Sequence, residues 1–98
     1  MDFKVILTPT AIEDLREIVA YVAKDDAQAA EKLGNGLIEK ALTLETLPER
    51  GRFVPETKDG ETREIGLRPY RIIYYVEKSF GEVYVIRFWH AARGEPEF

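Results

Sequence analysis

Residue types that build metal and redox sites are missing or rare in this sequence. Among 98 residues it contains no cysteine, one histidine, one methionine and one tryptophan. The absence of cysteine excludes disulfide bonds, thiolate nucleophiles and cysteine-based zinc sites. Because His90 is the single histidine, a histidine-rich metal site is excluded as well. We therefore expect neither a metal ion nor a cofactor.

Long apolar runs are also lacking, which argues against a membrane protein. No stretch approaches the roughly 18 consecutive apolar residues of a membrane span. Residues 1–5 show no basic segment leading into an apolar run, so we expect no secretory signal. The composition, 45% hydrophobic and 33% charged, is typical of a folded chain. The sequence predicts one domain over residues 1–98, located in the cytoplasm and without a membrane partner.

The charge balance is acidic, with a formal net charge of −4 at pH 7. Acidic residues predominate before residue 62, whereas basic residues outnumber them between residues 62 and 94. Binding to nucleic acid gains much of its affinity from neutralised phosphates, so an acidic chain is poorly suited to binding nucleic acid.

The N-terminal half predicts one strand followed by two helices. Phe3, Val5 and Leu7 alternate with Lys4 and Thr8 in the period-2 pattern of a strand. Thr8-Pro9 is typical of a helix N-cap followed by proline at the first helical position. A second helix is predicted from about Ala27 to Thr46. The segment Gly34-Asn35-Gly36 argues against a continuous helix, since two glycines destabilise a helix interior by about 2 kcal/mol relative to alanine. The apolar phase nevertheless continues across them, and small residues there would let the helices approach closely.

The C-terminal half predicts three strands after an irregular loop. The predicted segments are the loop Glu49–Gly60, the strands Thr62–Leu67, Tyr70–Glu77 and Glu82–Trp89, and a hairpin loop at Lys78–Gly81. The expected fold is α+β with the order β-α-α-β-β-β. A two-helix hairpin should pack on one face of a mainly antiparallel sheet.

The last two predicted strands are apolar on both faces. Alternation separates Val83, Val85, Arg87 and Trp89 from Tyr84, Ile86, Phe88 and His90. A helical hairpin covers only one face, and an exposed apolar face usually binds a partner. The residues expected to form this partner-binding surface are Ile73, Tyr75, Tyr84, Ile86, Phe88 and Arg87. The alternative is that the loop 49–60 and the C-terminal tail cover the second face.

Three residues suggest a catalytic possibility. His90 at a strand end is followed by Arg93, and Arg71 on the neighbouring strand is expected to point to the same side as His90. Arginine can neutralise a phosphate while histidine transfers a proton, which is what cleavage of a phosphodiester requires. Glu13, Asp14 and Glu17 are interpreted as charges near the helix N-terminus rather than as metal ligands.

Four segments together resemble the RelE/ParE superfamily of bacterial type II toxins. They are Leu-Thr-Pro-Thr-Ala-Ile-Glu-Asp-Leu-Arg-Glu-Ile at 7–18, Leu-Pro-Glu-Arg-Gly at 47–51, Tyr-Arg-Ile-Ile-Tyr-Tyr-Val at 70–76 and Val-Tyr-Val-Ile-Arg-Phe-Trp-His-Ala-Ala-Arg at 83–93. The resemblance implies the same β-α-α-β-β-β fold. It also implies a cognate antitoxin whose disordered segment folds onto the toxin, forming a toxin–antitoxin hetero-oligomer.

The resemblance implies one of two activities. ParE-like members inhibit DNA gyrase, whereas RelE-like members cut mRNA, usually on the ribosome. Arg71 and His90 fall where some RelE-like nucleases keep an arginine and a histidine, but Ala91 replaces the tyrosine that follows. The strand 70–76 and the end of the strand at 90–93 look ParE-like, so gyrase inhibition is the favoured expectation. RNA cleavage and an antitoxin-binding homologue without toxicity are the alternatives.

Overall fold

The computed structural model describes residues 2–98 and confirms the predicted order of elements with one addition. The elements are β1 (Lys4–Leu7), α1 (Pro9–Ala23), α2 (Ala27–Leu42), β2 (Arg52–Phe53), β3 (Arg63–Leu67), β4 (Tyr70–Glu77) and β5 (Glu82–His90). Short 3-10 helices occupy Thr43–Glu45, Lys78–Phe80 and Ala91–Arg93. The addition is β2, which lies in the segment predicted to be an irregular loop. No helix among the described residues is long and apolar enough to cross a membrane.

The strands form one sheet with the order β1-β5-β4-β3-β2. β1 is parallel to β5, and the other neighbouring pairs are antiparallel. The prediction of a mainly antiparallel sheet is therefore confirmed. The helical hairpin connects β1 at one edge to the antiparallel strands that follow, and it covers one face of the sheet.

Thr8 fastens the beginning of α1 to the sheet. Its hydroxyl accepts a hydrogen bond from the backbone N–H of Ala11 at 3.2 Å, which is the predicted N-cap. The same hydroxyl donates to the carbonyl oxygen of Val85 at 3.0 Å. One side chain thus caps the helix and joins it to β5.

The second helix is continuous across its two glycines, as predicted. A Cβ atom on Gly34 would lie only 2.9 Å from Cγ2 of Val19 on α1. The two helices therefore come closer here than any larger residue would allow. α2 ends at Leu42, and the 3-10 helix Thr43–Glu45 completes the segment predicted as helical.

The main core lies between the helical hairpin and one face of the sheet, called here the helix side. Its fully buried side chains come from both helices, from the 3-10 helix after α2 and from the central strands. They include Ala11, Leu37, Ala41, Leu44, Ile72, Tyr74, Val83, Val85 and Phe88. The two-layer arrangement confirms the α+β expectation.

A β-bulge in β5 changes which residues face the helices. Ile73 pairs with Arg87, whereas the next residue of β4, Tyr74, pairs with Val85, so Ile86 is the extra residue. Simple alternation along β5 therefore fails beyond Val85. The expectation that Phe88 belongs to the exposed partner-binding face is wrong: Phe88 is 1% exposed and lies in the helix-side core.

A second, smaller core lies on the opposite face of the sheet, called here the outer face. Val54, Ile73 and Trp89 are buried there, with Ile86 packed against them. Val54 comes from the segment 49–60, and the C-terminal tail contacts the same face where the Gly94 carbonyl oxygen accepts from the Trp89 indole. The alternative that the loop and the tail cover this face therefore holds for the half of the sheet around Ile73, which removes Ile73 from the accessible surface.

Gly51 occupies a position where a side chain does not fit. A Cβ atom there would lie 2.6 Å from the carbonyl oxygen of Glu64 and would also collide with the Tyr74 hydroxyl. We expect Gly51→Ala to lower the free energy of unfolding by roughly 1–3 kcal/mol, because backbone must shift to make room. Chemical denaturation measures the change. Gly66→Ala is the control, since its Cβ would lie 3.9 Å from its nearest neighbour, the carbonyl oxygen of Tyr70; an equal loss in both variants would contradict the steric argument.

Candidate functional site

The three residues proposed for catalysis do not form one site. Arg71 pairs with Trp89 across the strands, whereas His90 pairs with Tyr70. Adjacent residues of a strand point to opposite faces, so Arg71 lies on the outer face and His90 on the helix side. The expectation that Arg71 points to the same side as His90 is wrong. The reason is the pairing register, which the sequence does not show.

Arg71 is held by two carboxylates. Its two terminal nitrogens donate to the carboxylate oxygens of Glu56, each at 2.9 Å, and its Nε donates to Glu64. These hydrogen bonds raise the pKa of Arg71, and the bond from Arg71 lowers the pKa of Glu56. A phosphate could bind Arg71 only by displacing Glu56, because the guanidinium edge that would receive it is already occupied.

Glu64, which the sequence pattern does not single out, is the centre of this ion-pair cluster. It is 5% exposed and accepts from Arg52 Nε at 2.8 Å as well as from Arg71. A buried carboxylate is retained only when it is paired, and here two arginines from neighbouring strands supply the pairing. The only signal in the sequence is a glutamate within an apolar strand. Its partners become visible once the strand order places β2 and β4 on either side of β3.

His90 has a structural role in this geometry. Its Nδ1 accepts a hydrogen bond from the backbone N–H of Ala92 at 3.0 Å, which caps the 3-10 helix Ala91–Arg93. The imidazole also packs edge-on against the Tyr70 ring, with centroids 5.0 Å apart. Because Nδ1 accepts, the proton of the neutral ring is on Nε2. His90 therefore presents a donor rather than a free base.

Arg93, the third proposed catalytic residue, packs against Trp89. Its guanidinium carbon lies 4.3 Å from the Trp89 ring centroid, and that of Arg87 lies 4.9 Å from it. The indole N–H donates to the carbonyl oxygen of Gly94 at 3.0 Å. These contacts hold the segment after β5 in place and assign Arg93 a stacking role.

Asp14 forms the second buried ion pair. It is 6% exposed and accepts from Arg87 Nε and Nη2, each at 2.7 Å, and from the backbone N–H of Phe88 at 3.1 Å. The interpretation of Asp14 as a charge at the helix N-terminus is therefore wrong, since its side chain turns towards the sheet. β1 pairs with β5 only as far as Val85, and beyond that point Asp14 accepts the hydrogen bond of the free backbone N–H of Phe88. The hydrogen bonds between Asp14 and Arg87 raise the pKa of Arg87.

No group of three or more histidine or acidic side chains among residues 2–98 is arranged to hold a metal ion. The arrangement is instead one of internally paired arginines around two buried carboxylates, Asp14 and Glu64. These pairs connect elements of the fold: Asp14 joins α1 to β5, and Glu64 joins β3 to its neighbouring strands.

The model for the ParE toxin of type II toxin-antitoxin systems, parDE, matches residues 5–94. The chain belongs to this family. Similar curated proteins include toxins RelE2 and RelE1 of Caulobacter vibrioides. RelE2 is 36% identical over 91 residues, covering 92% of this chain and 97% of the relative. RelE1 is 37% identical over 95 residues, covering 92% of this chain and 95% of the relative.

Solved toxin structures share the fold. The chromosomal ParDE system from P. aeruginosa matches with a TM-score of 0.74 and 21% identity over 90% of this chain and 95% of that chain. The toxin–antitoxin complex RelBE2 from Mycobacterium tuberculosis matches with a TM-score of 0.71 and 20% identity over 92% and 99%. The resemblance to the RelE/ParE superfamily is thus confirmed, and the chain is a type II toxin of the ParE/RelE family.

The accessible part of the predicted partner-binding surface of this toxin is small and aromatic. Tyr75, 36% exposed, stacks on Tyr84 with ring centroids 5.3 Å apart, and Ile86 lies half-buried beside them. The Tyr84 hydroxyl donates to Glu82 at 2.6 Å, which raises the pKa of Tyr84. We call Tyr75, Tyr84 and Ile86 the outer patch. Arg87, also predicted for this surface, is engaged by Asp14.

The pairing of Glu56 with Arg71 should make stability depend on acid. The folded-state pKa of Glu56 lies below its ordinary value of 4.5, so the pair stabilises the fold above that pH and the contribution is lost as the pH falls through the lowered value. We expect Glu56→Gln to be less stable than wild type at neutral pH and to lose less stability between about pH 5 and pH 3. Urea unfolding at several pH values measures the difference.

Two features make this comparison specific. Asp59, whose pKa is also lowered by hydrogen bonds from Thr62 and Glu61, is present in both proteins and so cancels. Glu31→Gln, an exposed change on α2, serves as the control and should follow wild type. If the free energy of unfolding depended on pH identically in wild type and Glu56→Gln, the ion pair would contribute nothing to stability.

Proposed function

We propose that this toxin inhibits DNA gyrase and that a cognate antitoxin neutralises it. The observation that supports gyrase over RNA is the separation of Arg71 from His90 on opposite faces of the sheet. Acid–base cleavage of a phosphodiester needs a proton-transferring group and a phosphate-binding group around one phosphate. Arg71 is occupied by Glu56 and Glu64, and His90 uses Nδ1 as a cap. Arg93 does line one cavity with His90, but the acidic Asp14 and Glu17 line that cavity too and oppose the binding of a phosphate there.

RNA cleavage is the second candidate, because the similar curated toxins carry RelE names. For Arg71 to act on RNA, Glu56 would have to release it, and the segment around Glu56 would have to move. The net charge of −4 also weakens binding to ribosomal RNA. An antitoxin-binding homologue without toxicity is the third candidate, and it predicts no effect on growth.

A gyrase supercoiling assay with the purified chain tests the proposal. We expect inhibition at micromolar toxin concentration, with no cleavage of a ribosome-bound mRNA. If the chain is a nuclease instead, Arg71→Ala and His90→Ala, each checked for native circular dichroism, should abolish the cleavage. RNA cleavage that disappears in these variants would establish the nuclease instead, and no effect in either assay would favour the non-toxic homologue.

The outer patch supports the proposed binding of an antitoxin. The stacked rings of Tyr75 and Tyr84 give a rigid apolar surface, and aromatic residues of this kind dominate protein interfaces. The register places Ile6 of β1 beside Tyr84, which extends the apolar surface to the edge of the sheet. Loop and tail cover the rest of the outer face, so the patch is the part of that face left for a partner.

A charge placed in the outer patch should weaken antitoxin binding. We expect Tyr75→Asp to raise the Kd for the cognate antitoxin by about tenfold or more, because an aspartate would be desolvated without a partner in the complex. Lys24→Asp, an exposed change at the end of α1, is the control. Calorimetric titration measures both, and equal effects would place the interface elsewhere. Phe88→Asp is unsuitable, since Phe88 is in the helix-side core and the change would unfold the chain.

A further inference from the structure

A cavity opens at the end of the sheet where α1 extends beyond β5. Its volume is about 380 Å³, within the range of small-ligand sites. The lining comes from one face of α1 and from the ends of β4 and β5: Asp14, Glu17, Ile18, Tyr21, Tyr70, His90 and Arg93. We call it the end cavity. It lies on the helix side and is separate from the outer patch.

The Tyr70 hydroxyl is the feature that points to a ligand. Tyr70 is 9% exposed, yet its hydroxyl makes no hydrogen bond with any described residue. Burial alone raises its pKa, with no contribution from a hydrogen bond. The hydroxyl oxygen itself remains accessible to solvent, since no side-chain nitrogen or oxygen among the described residues is both buried and unpaired. It is therefore free to hydrogen-bond a ligand in the cavity that Tyr70 lines. Tyr74, four residues along on the same side of β4, shows the usual arrangement: its hydroxyl accepts from the Gly51 N–H at 2.9 Å.

Two further donors line the same cavity. His90 has Nδ1 engaged by Ala92, so Nε2–H is the donor that it can offer. Arg93 is exposed, stacks on Trp89 and keeps its guanidinium donors without a carboxylate partner among the described residues. A hydroxyl, an imidazole N–H and a guanidinium around one space favour an anionic acceptor.

The acidic residues of the cavity limit the charge of the ligand that can bind there. Asp14 is neutralised by Arg87, but Glu17 is exposed on α1 and opposes a second negative charge. A ligand of charge −1 with an apolar stem is therefore better tolerated than a phosphate of higher charge. The apolar part of the cavity, from Ile18 and Tyr21, suits such a stem.

We propose that the end cavity binds the carboxylate of an aspartate or glutamate side chain of the antitoxin, with Tyr70, His90 and Arg93 as its donors. This rests on the proposed function only in taking the antitoxin as the partner. It places a polar anchor on the helix side, in addition to the apolar contact at the outer patch. A segment that reached both would have to pass around the edge of β5.

NMR titration of the full chain with capped peptides tests the site without antitoxin or gyrase. The probes are acetyl-Leu-Glu-Leu-amide and acetyl-Leu-Gln-Leu-amide. We expect the glutamate peptide to shift the amide signals of Ile18, Tyr21, His90 and Arg93, and the glutamine peptide to bind at least about fivefold more weakly. Equal binding of the two peptides, or equal shifts with inorganic phosphate alone, would overturn the proposal.

Matched tyrosine variants separate binding from folding. Tyr70→Phe removes a hydroxyl without an intramolecular partner, so it should keep the wild-type Tm and weaken the glutamate peptide about fivefold. Tyr74→Phe leaves the Gly51 N–H unpaired, so it should lower Tm by about 5 °C or more and leave peptide affinity unchanged. Unchanged peptide affinity in Tyr70→Phe would contradict the proposal.

Glu17→Gln should change the peptide affinity in the opposite direction to Tyr70→Phe. For a carboxylate ligand it should tighten binding about twofold or more, because a repulsive charge is removed. Weaker binding in Glu17→Gln, or preferential binding of a lysine peptide, would mean that the cavity accepts a cation. The gyrase assay is independent of all these outcomes, so the site and the proposed function can fail separately.

Discussion

The pairing of β4 with β5 through the bulge at Ile86 is the constraint on which the other features depend. Because of the extra residue, the side chains after Ile86 point to the opposite faces from those that simple alternation predicts. Phe88 then completes the core under the helices, while Arg87 and Trp89 move to the outer face. Without the bulge, alternation would expose Phe88 and bury Arg87. The first change would lose the free energy of apolar burial, and the second would require desolvating a charge. The bulge is therefore required by the chemistry of residues 87–89.

The same geometry explains why the arginines of the C-terminal half do not form a basic surface. Arg87 reaches Asp14 on α1, and Arg71 lies between Glu56 and Glu64. Buried ion pairs add little net stability, but they specify which elements may be neighbours, because removing one partner leaves a buried charge. Asp14 joins α1 to β5, and Glu64 joins β2, β3 and β4. The charge pattern of this toxin thus serves its fold, which leaves few arginines available for nucleic acid.

Two separate surfaces remain accessible. The outer patch is aromatic and lies where neither the loop nor the tail covers the sheet, whereas the end cavity is lined by hydrogen-bond donors and lies under α1. An extended partner segment can contact both, which fits a partner that folds on binding. Such a segment gains affinity from many contacts although each contact is weak. The fold thus places an apolar patch and a polar cavity on opposite sides of one strand, β5.

Local patterns determined much of this protein from its sequence alone. Apolar periodicity and the Thr8-Pro9 cap specified both helices, and alternating apolar residues specified four of the five strands, because these signals act within a few residues. β2 was missed, since two residues carry no period. The register of β4 and β5 was decided only by tertiary structure: it separated Arg71 from His90, buried Phe88 and paired Asp14 with Arg87. A one-residue bulge has no local signature, because it is selected by the summed burial of side chains that meet only in the fold.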